Sequence, residues 1–248
     1  HLAAAFDQSL GSCFRNDIYS DYKSSRELPD EALAFQLDSC RQVTELLGLP
    51  CFGGPRFEAD DYIASLARVA HGAKMPVTIV TRDKDLGQIL AHHGDHWWDF
   101  AADRRLDISA FDERFGVHPG QFADYLALVG DPVDDIPGVP GVGPKSAAAL
   151  LTHYGNLESL GSSLASVAEL PLRGSARIAQ RLQEHWAQVL LARQLTALEV
   201  RIPGVTEVPV FRLTREAVAA VTDYLAELNL TGPLTKRCDA LARGLESE

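Results

Sequence analysis

Between Gly130 and Lys145 the chain reads GDPVDDIPGVPGVGPK. Gly138, Gly141 and Gly143 let backbone N–H groups approach an anion with no side chain in the way. The pattern hydrophobe-x-Gly-hydrophobe-x-Gly-hydrophobe-Gly-x-Lys-x-Ala runs over residues 136–147 and predicts a hairpin entering a helix. That helix, opening at Lys145, would aim its N-terminal dipole at the same anion. Just upstream, Asp131 and Asp134 are spaced to sit on one side of a turn and ligate a hard cation. A cation site beside a phosphate-gripping loop suits a phosphodiester; the plain alternative is a Pro/Gly loop capping a helix.

Two short apolar runs, residues 2–6 and 77–81, end in acids: Asp7 after the first, Asp83 and Asp85 after the second. Both read as buried strands. Pro29 at a helix start, Leu33, Leu37, Val43, Leu46 and Leu47 on a helical period, and Gly48 as a stop predict a helix between them. A second begins near Glu58 and turns Ile63, Leu66 and Val69 inward before Gly72. This alternation predicts an α/β fold with a mostly parallel sheet, whose ligands collect beyond the carboxyl ends of the strands. Residues 96–100 read as a further strand. Helices over 119–129, 145–154 and 175–198 then predict a helical domain grafted onto the sheet. Residues 159–166 read as a Ser-rich connector, 208–213 as a last strand, 215–228 as an amphipathic helix, and the tail after Lys236 as loosely held.

Glu58, Asp60 and Asp61 crowd one helix start, where the macrodipole and capping favour acids without any function. Asp83 and Asp85 also fit a loop with a helix cap. Together with Asp7, Asp131 and Asp134, however, they are predicted at one sheet edge, where so many carboxylates repel one another unless cations hold them. All-oxygen ligation selects Mg²⁺ or Mn²⁺ over zinc. Two such ions about 3.5–4 Å apart would activate a water and stabilise the leaving oxygen of a phosphodiester.

With 248 residues, 46% of them apolar, the chain can bury a full core as one large domain or as one with a helical appendage. No run approaches the roughly eighteen apolar residues of a membrane span, and HLAAAFDQSL lacks the regions of a secretory signal, so a cytosolic protein is expected. The only methionine is Met75 and the chain opens on His1, which predicts a fragment or a processed chain. Cys13, Cys40, Cys51 and Cys238 form no CxxC pair and are expected as free thiols.

A net charge of −11 opposes nucleic-acid binding as a global property, so the distribution of cations decides. Arg15, Lys23 and Arg26 share a segment with Tyr19 and Tyr22; Lys23 and Arg26, three apart, fit one helical face. Such a patch suits a substrate whose phosphate is drawn in and whose base stacks, or else is a solvated surface. Arg173, Arg177 and Arg181 recur every fourth residue, a stripe that can track a duplex backbone or serve solubility. His92, His93 and His96 have no partner cluster for a metal and read as an exposed turn.

The motifs AAFD, FRNDIYSDYKSSR, FEADD, TRDKDL and LVGDPVDDIPGVPGVGPKSAAALL, in this order across nearly the whole chain, resemble the bacterial and phage 5′-nucleases: the 5′→3′ exonuclease domain of DNA polymerase I and the flap endonucleases. The resemblance implies a PIN-like α/β core with a helical arch and a helix-three-turn-helix DNA-binding domain. It implies a core over 1–117, the DNA-binding domain over 118–205, and a C-terminal strand and helix region over 206–248 that packs back on the core. By motif, Asp7, Glu58, Asp60 and Asp61 resemble the acids around a first Mg²⁺ or Mn²⁺, and Asp83, Asp85, Asp131 and Asp134 those around a second. Lys23 and Arg26 match the basic pair that engages the scissile phosphate. Residues 138–145 match the hairpin that grips duplex DNA, which in relatives can also hold K⁺. Where the family commonly has Asp-Asn before Ile-Pro-Gly, this chain has Asp134-Asp135, which adds a charge without removing a ligand. The family's first strand and its aspartate precede the stretch where this chain opens.

The expected function is therefore structure-specific 5′→3′ exonuclease or flap endonuclease activity in DNA replication and repair, by a monomer that uses no membrane. The alternatives are a non-catalytic duplex-binding module of the same descent and a PIN-type ribonuclease, against which the duplex-gripping hairpin speaks.

Overall fold

The structure, a computed structural model, describes residues 1–245. Strand β1, Ala4–Ala5, pairs in parallel with β2, Cys51–Phe52. Helices α1, Phe14–Ile18, and α2, Glu31–Leu46, lie between them in sequence. Asp30 starts α2 by accepting from the Leu33 N–H at 2.7 Å, which satisfies one of the donors every helix leaves orphaned at its N-terminus. Helix α3, Ala59–Gly72, follows β2 and carries Glu58 at its N-cap.

A second sheet is formed by β3, Thr78–Val80, β4, His96–Asp99, and β5, Arg104–Leu106. The β3 and β4 strands run parallel, β4 and β5 antiparallel. Register places Ile79, Trp97 and Leu106 in one row across it, and all three are buried. The neighbouring row, Val80, Trp98 and Arg105, faces outward, as strand alternation requires. A 3₁₀ helix, Lys84–Ile89, leaves β3 and sends Leu86 and Ile89 into the core.

The rest is helical: α4, Ile108–Phe115; α5, Phe122–Val129; α6, Pro144–Tyr154; α7, Leu157–Gly161; α8, Ser175–Thr196; α9, Arg215–Glu227; and α10, Pro233–Gly244. Every residue of α5 except Val129 is buried, because the helix is apolar on nearly all sides and packs against α6, α8 and the 3₁₀ helix after β3. One continuous hydrophobic core therefore joins the β3–β5 sheet to α5, α6 and α8. A smaller cluster of Val218, Val221, Leu225 and Cys238 seats α9 and α10 against Val43 and Leu46 of α2 and Leu47 just after it. No helix of the described residues is long and apolar enough to cross a membrane.

Several local expectations are corrected. Residues 208–213 are apolar except for Arg212 but form no strand, since no strand of the described residues pairs with them and Pro209 has no donor to give. The tail after Lys236 belongs to α10, where Cys238, Ala242 and Leu245 make an apolar stripe against α9; residues 246–248 lie outside the described residues. Residues 159–166 are not a plain connector, because Leu157, Leu160 and Val167 are buried in α7 and the 3₁₀ helix Leu164–Glu169. Lys23 and Arg26 share no helix: the chain turns through 20–25, with Lys23 at φ +54°.

Candidate active site

Three chain segments bring acids towards one place. Glu58, Asp60 and Asp61 come from the start of α3, just beyond β2. Asp83 and Asp85 come from the turn after β3, where Asp83 caps the 3₁₀ helix by accepting from the Asp85 N–H at 2.9 Å. Asp131 and Asp134 sit in the turn leaving α5, closed by reciprocal backbone bonds between Asp131 and Ile136 at 2.8 and 2.9 Å. Asp7 stands at the carboxyl end of β1, and its contacts are local: one oxygen accepts from the Ser9 N–H at 3.0 Å and the Ser9 hydroxyl at 2.8 Å.

Basic side chains thread this cluster. Lys23 pairs with Glu58 and lies 3.7 Å from Asp134, whose other oxygen pairs with Arg26. The Tyr22 hydroxyl donates to Glu58 at 2.9 Å. Lys84 bridges Asp85 at 3.1 Å and Asp131 at 2.8 Å. Burial alone would depress the Lys84 ammonium, but Asp85 and Asp131 outweigh it and hold its pKa above the ordinary value.

Arg15 corrects two expectations. It is 1% exposed, so it touches no DNA; its guanidinium donates to Glu58 at 3.0 Å, to both oxygens of Asp61 at 2.7 Å, and to the carbonyls of Leu195 and Ala197 at 2.8 Å. Asp61 is 0% exposed, and its oxygens are further occupied by the backbone N–H groups of Glu58 and Glu199. It is a structural partner of Arg15 with no lone pair aimed at a metal. The pair pins the end of α8 to the start of α3.

Unlike Asp61, Asp60 and Asp85 have no committed partner of that kind. Burial, then Asp83 and Glu58, push the Asp60 carboxyl up to about 7. Burial, with Asp83 and Asp131 working against Lys84, pushes Asp85 up to about 6. Asp85 Oδ1 is buried and lacks a hydrogen bond of acceptable geometry even with Lys84 Nζ 3.1 Å away. Among the described residues, no three acids, histidines or cysteines are already arranged as a coordination shell. The donor chemistry nevertheless fits a hard divalent cation: carboxylate oxygens only, mutually repelling, one of them orphaned.

The glycines divide by task. A Cβ on Gly138 would lie 2.0 Å from the Val129 carbonyl oxygen, so this glycine serves close packing of the chain on itself, which corrects its expected role at an anion. Its own carbonyl accepts from Gln188 at 3.0 Å. Gly141, at φ +83°, and Gly143 face open space. Lys145 is exposed in the first turn of α6. Pro140 and Gly141 line a cavity of about 410 Å³ together with Arg173, Arg177 and Arg181. Arg173 precedes α8 and so is not strictly on its face, but the three arginines and the hairpin do share one groove.

His92 and His93 are exposed in a turn as expected, but His96 is half-buried as the first residue of β4, and the buried Asp95 accepts from the N–H groups of Val77, Ala91 and His92 and lies 3.0 Å from His71. Nothing in the sequence marks Tyr22 as a site residue, Lys84 as a bridge or Asp135 and Gln188 as partners. The distant partners of Lys84 and Gln188 lie 47 to 51 residues away, with only side-chain chemistry to announce them.

Family models match the chain over residues 1–116, as the 5′-3′ exonuclease N-terminal resolvase-like domain, and over 117–240, as the 5′-3′ exonuclease C-terminal SAM fold. It is 34% identical to the DNA polymerase I of Rhizobium leguminosarum, an alignment covering 99% of this chain and 24% of that protein. Against the DNA polymerase I of Pseudomonas aeruginosa it is 40% identical over 81% of this chain and 22% of the relative. It thus spans about a quarter of the length of these relatives. A 5′-3′ exonuclease of Buchnera aphidicola is 30% identical over 80% of this chain and 68% of its own length. In fold, the chain is similar to a zinc-bound T5 5′-exonuclease, with a TM-score of 0.63, 23% identity and coverage of 96% of this chain and 82% of that one. The catalytic core of Rad2 in complex with DNA substrate gives a TM-score of 0.60 at 16% identity, covering 97% and 79%.

Proposed function

Because the chain belongs to the 5′-3′ exonuclease family, with a resolvase-like α/β part followed by a helical SAM-fold part, we propose that it hydrolyses DNA phosphodiesters at 5′ flaps, nicks and 5′ ends, in replication and repair. The observation that carries this is the meeting of Asp60, Asp83, Asp85 and Asp131 beside Lys23 and Arg26, in a molecule whose hairpin and arginines form a groove next to the same turn. Asp60, Asp83, Asp85 and Asp131, with Asp134 and Glu58 at the border, would hold Mg²⁺ or Mn²⁺; such ions supply a deprotonated water and a counter-charge for the leaving oxygen.

This chain's residues do the rest. Arg173, Arg177 and Lys145 hold the duplex by its backbone, without reading sequence. Lys23 and Arg26, on the turn facing Asp134, are placed to draw a phosphate towards the acids and offset its charge as it reacts. The carbonyls of Pro137 and Gly138 each accept from Gln188 and keep a second lone pair, which leaves room for the K⁺ implied by the hairpin motif. In this assignment residues 1–117 are the nuclease core, 118–205 the DNA-gripping part and 206–248 a C-terminal support.

A labelled 5′-flap duplex with Mg²⁺ should yield short 5′ products that chelation abolishes. Asp85→Asn should lower the rate about a hundredfold or more while duplex binding persists. Flap DNA left intact by the protein at saturating Mg²⁺ and Mn²⁺ would remove the proposal.

A further inference from the structure

Lys23 and Arg26 lie on a segment with no regular structure of its own, since residues 20–25 are turns and 26–30 are irregular. A segment of that kind holds two long cationic side chains in place only if something else holds the segment. Its start is anchored by the buried Tyr22, whose hydroxyl donates to Glu58 at 2.9 Å and whose carbonyl accepts from the Asn16 amide at 2.9 Å; beyond Tyr22 its backbone ties outside the segment run to one short turn. The Lys23 N–H donates to the Asp134 carbonyl at 3.1 Å, the Ser25 N–H to Asp135 Oδ2 at 2.8 Å, and Arg26 Nε to the Val133 carbonyl at 3.4 Å. That turn is itself fixed from behind by the reciprocal Asp131 and Ile136 bonds.

Asp135 stands at φ +56°, in the left-handed region where glycine would be the least strained choice. What aspartate adds over glycine is an acceptor, and the structure uses it on the N–H of Ser25, one of the two residues between Lys23 and Arg26. We infer that Asp135 is a positioning residue, clasping the segment of Lys23 and Arg26 to the turn that carries Asp131 and Asp134. Basic and acidic halves of the site then move as one unit. The inference rests on the nuclease reading for its consequence in catalysis; the clasp itself does not.

The test separates backbone from acceptor. Asp135→Gly keeps the left-handed conformation and deletes the acceptor, while Asp135→Asn keeps both, because an amide oxygen accepts from the same N–H. Limited trypsin digestion of the full chain reads the clasp directly. Cleavage after Lys23 and Arg26 should accelerate in Asp135→Gly and return to the wild-type rate in Asp135→Asn, with cleavage after Lys236 in α10 unchanged in both. Single-turnover cleavage of a 5′-flap duplex at saturating Mg²⁺ should fall about ten- to a hundredfold in Asp135→Gly, with recovery in Asp135→Asn and little change in duplex Kd. Equal trypsin rates at Lys23 and Arg26 in wild type and Asp135→Gly overturn the clasp, as does equal acceleration at Lys236 or an Asp135→Asn protein that behaves like Asp135→Gly. Faster proteolysis with an unaltered cleavage rate overturns the positioning role. If the wild type leaves flap DNA intact, the nuclease reading is what fails, and the proteolysis still decides the clasp.

Discussion

Asp60 and Asp85 carry the site's chemistry in their titration. Their carboxyls are raised to about 7 and about 6 by burial and by neighbouring acids, so the folded protein resists their ionisation. For a raised carboxyl the sign is fixed: its contribution to stability is fully present below the ordinary carboxylate pKa and is lost as pH rises through the raised value. The chelated protein should therefore lose stability between about pH 4 and pH 7, by at most about 4 kcal/mol for Asp60 and less where solvent screens it. Saturating Mn²⁺ should flatten that slope, because a cation is what ionised acids at this distance lack. Denaturant melts across this pH range, with chelator or with Mn²⁺, check both statements on wild type and Asp60→Asn; a slope insensitive to Mn²⁺ would place the cation elsewhere. All of these acids were legible in the sequence, because each follows a strand or a glycine-rich signal. The roles of Arg15 and Asp61 were not. An arginine beside tyrosines reads as a surface, and only the fold brings the Leu195 carbonyl 180 residues back to bury it.

At the scale of elements, Arg15 is a bolt between α3 and α8. Its removal strands Asp61, which is 0% exposed, without its cation. Arg15→Met should cost about 3–5 kcal/mol, the penalty of breaking a buried ion pair from one side. Arg56→Ala, which breaks the exposed pair with Asp17, should cost less than about 1 kcal/mol. Chemical denaturation of the two variants gives the comparison, and near-equal losses would contradict it. The glycines of the hairpin make a second contrast. Gly138→Ala must move the Val129 backbone and should destabilise the hairpin and weaken duplex binding, whereas Gly143→Ala, at φ −93° with open space around it, should fold normally. Elements with a strong helical period, α2, α3, α6, α8 and α9, were legible to within a few residues. The β5 strand was not, because two of its three residues, Arg104 and Arg105, carry no strand signal, and its identity comes from pairing with β4. The α7 helix was hidden by serines, although Leu157 and Leu160 supply its buried face.

For the whole molecule, a net charge of −11 has to be reconciled with the polyanionic partner proposed for it. The fold does so by segregation. Acids are gathered at the strand ends, where Lys23 and Lys84 offset them, and the hairpin with Arg173, Arg177 and Arg181 presents a separate cationic groove. Arg181 shares its charge with Glu184 at 3.4 Å, which leaves Arg173 and Arg177 as the principal free cations of the stripe. If each neutralises one phosphate, duplex binding must weaken with salt in proportion to their number, since bound counterions are released with every such contact. Removing both in an Arg173→Ala, Arg177→Ala variant should therefore weaken the duplex Kd at low salt and lower the slope of log K against log salt by about 2. Titrating a blunt duplex in Ca²⁺ at several salt concentrations measures that slope directly. A slope equal to wild type would mean that the duplex does not lie in this groove, and that the acidic surface is approached from another side.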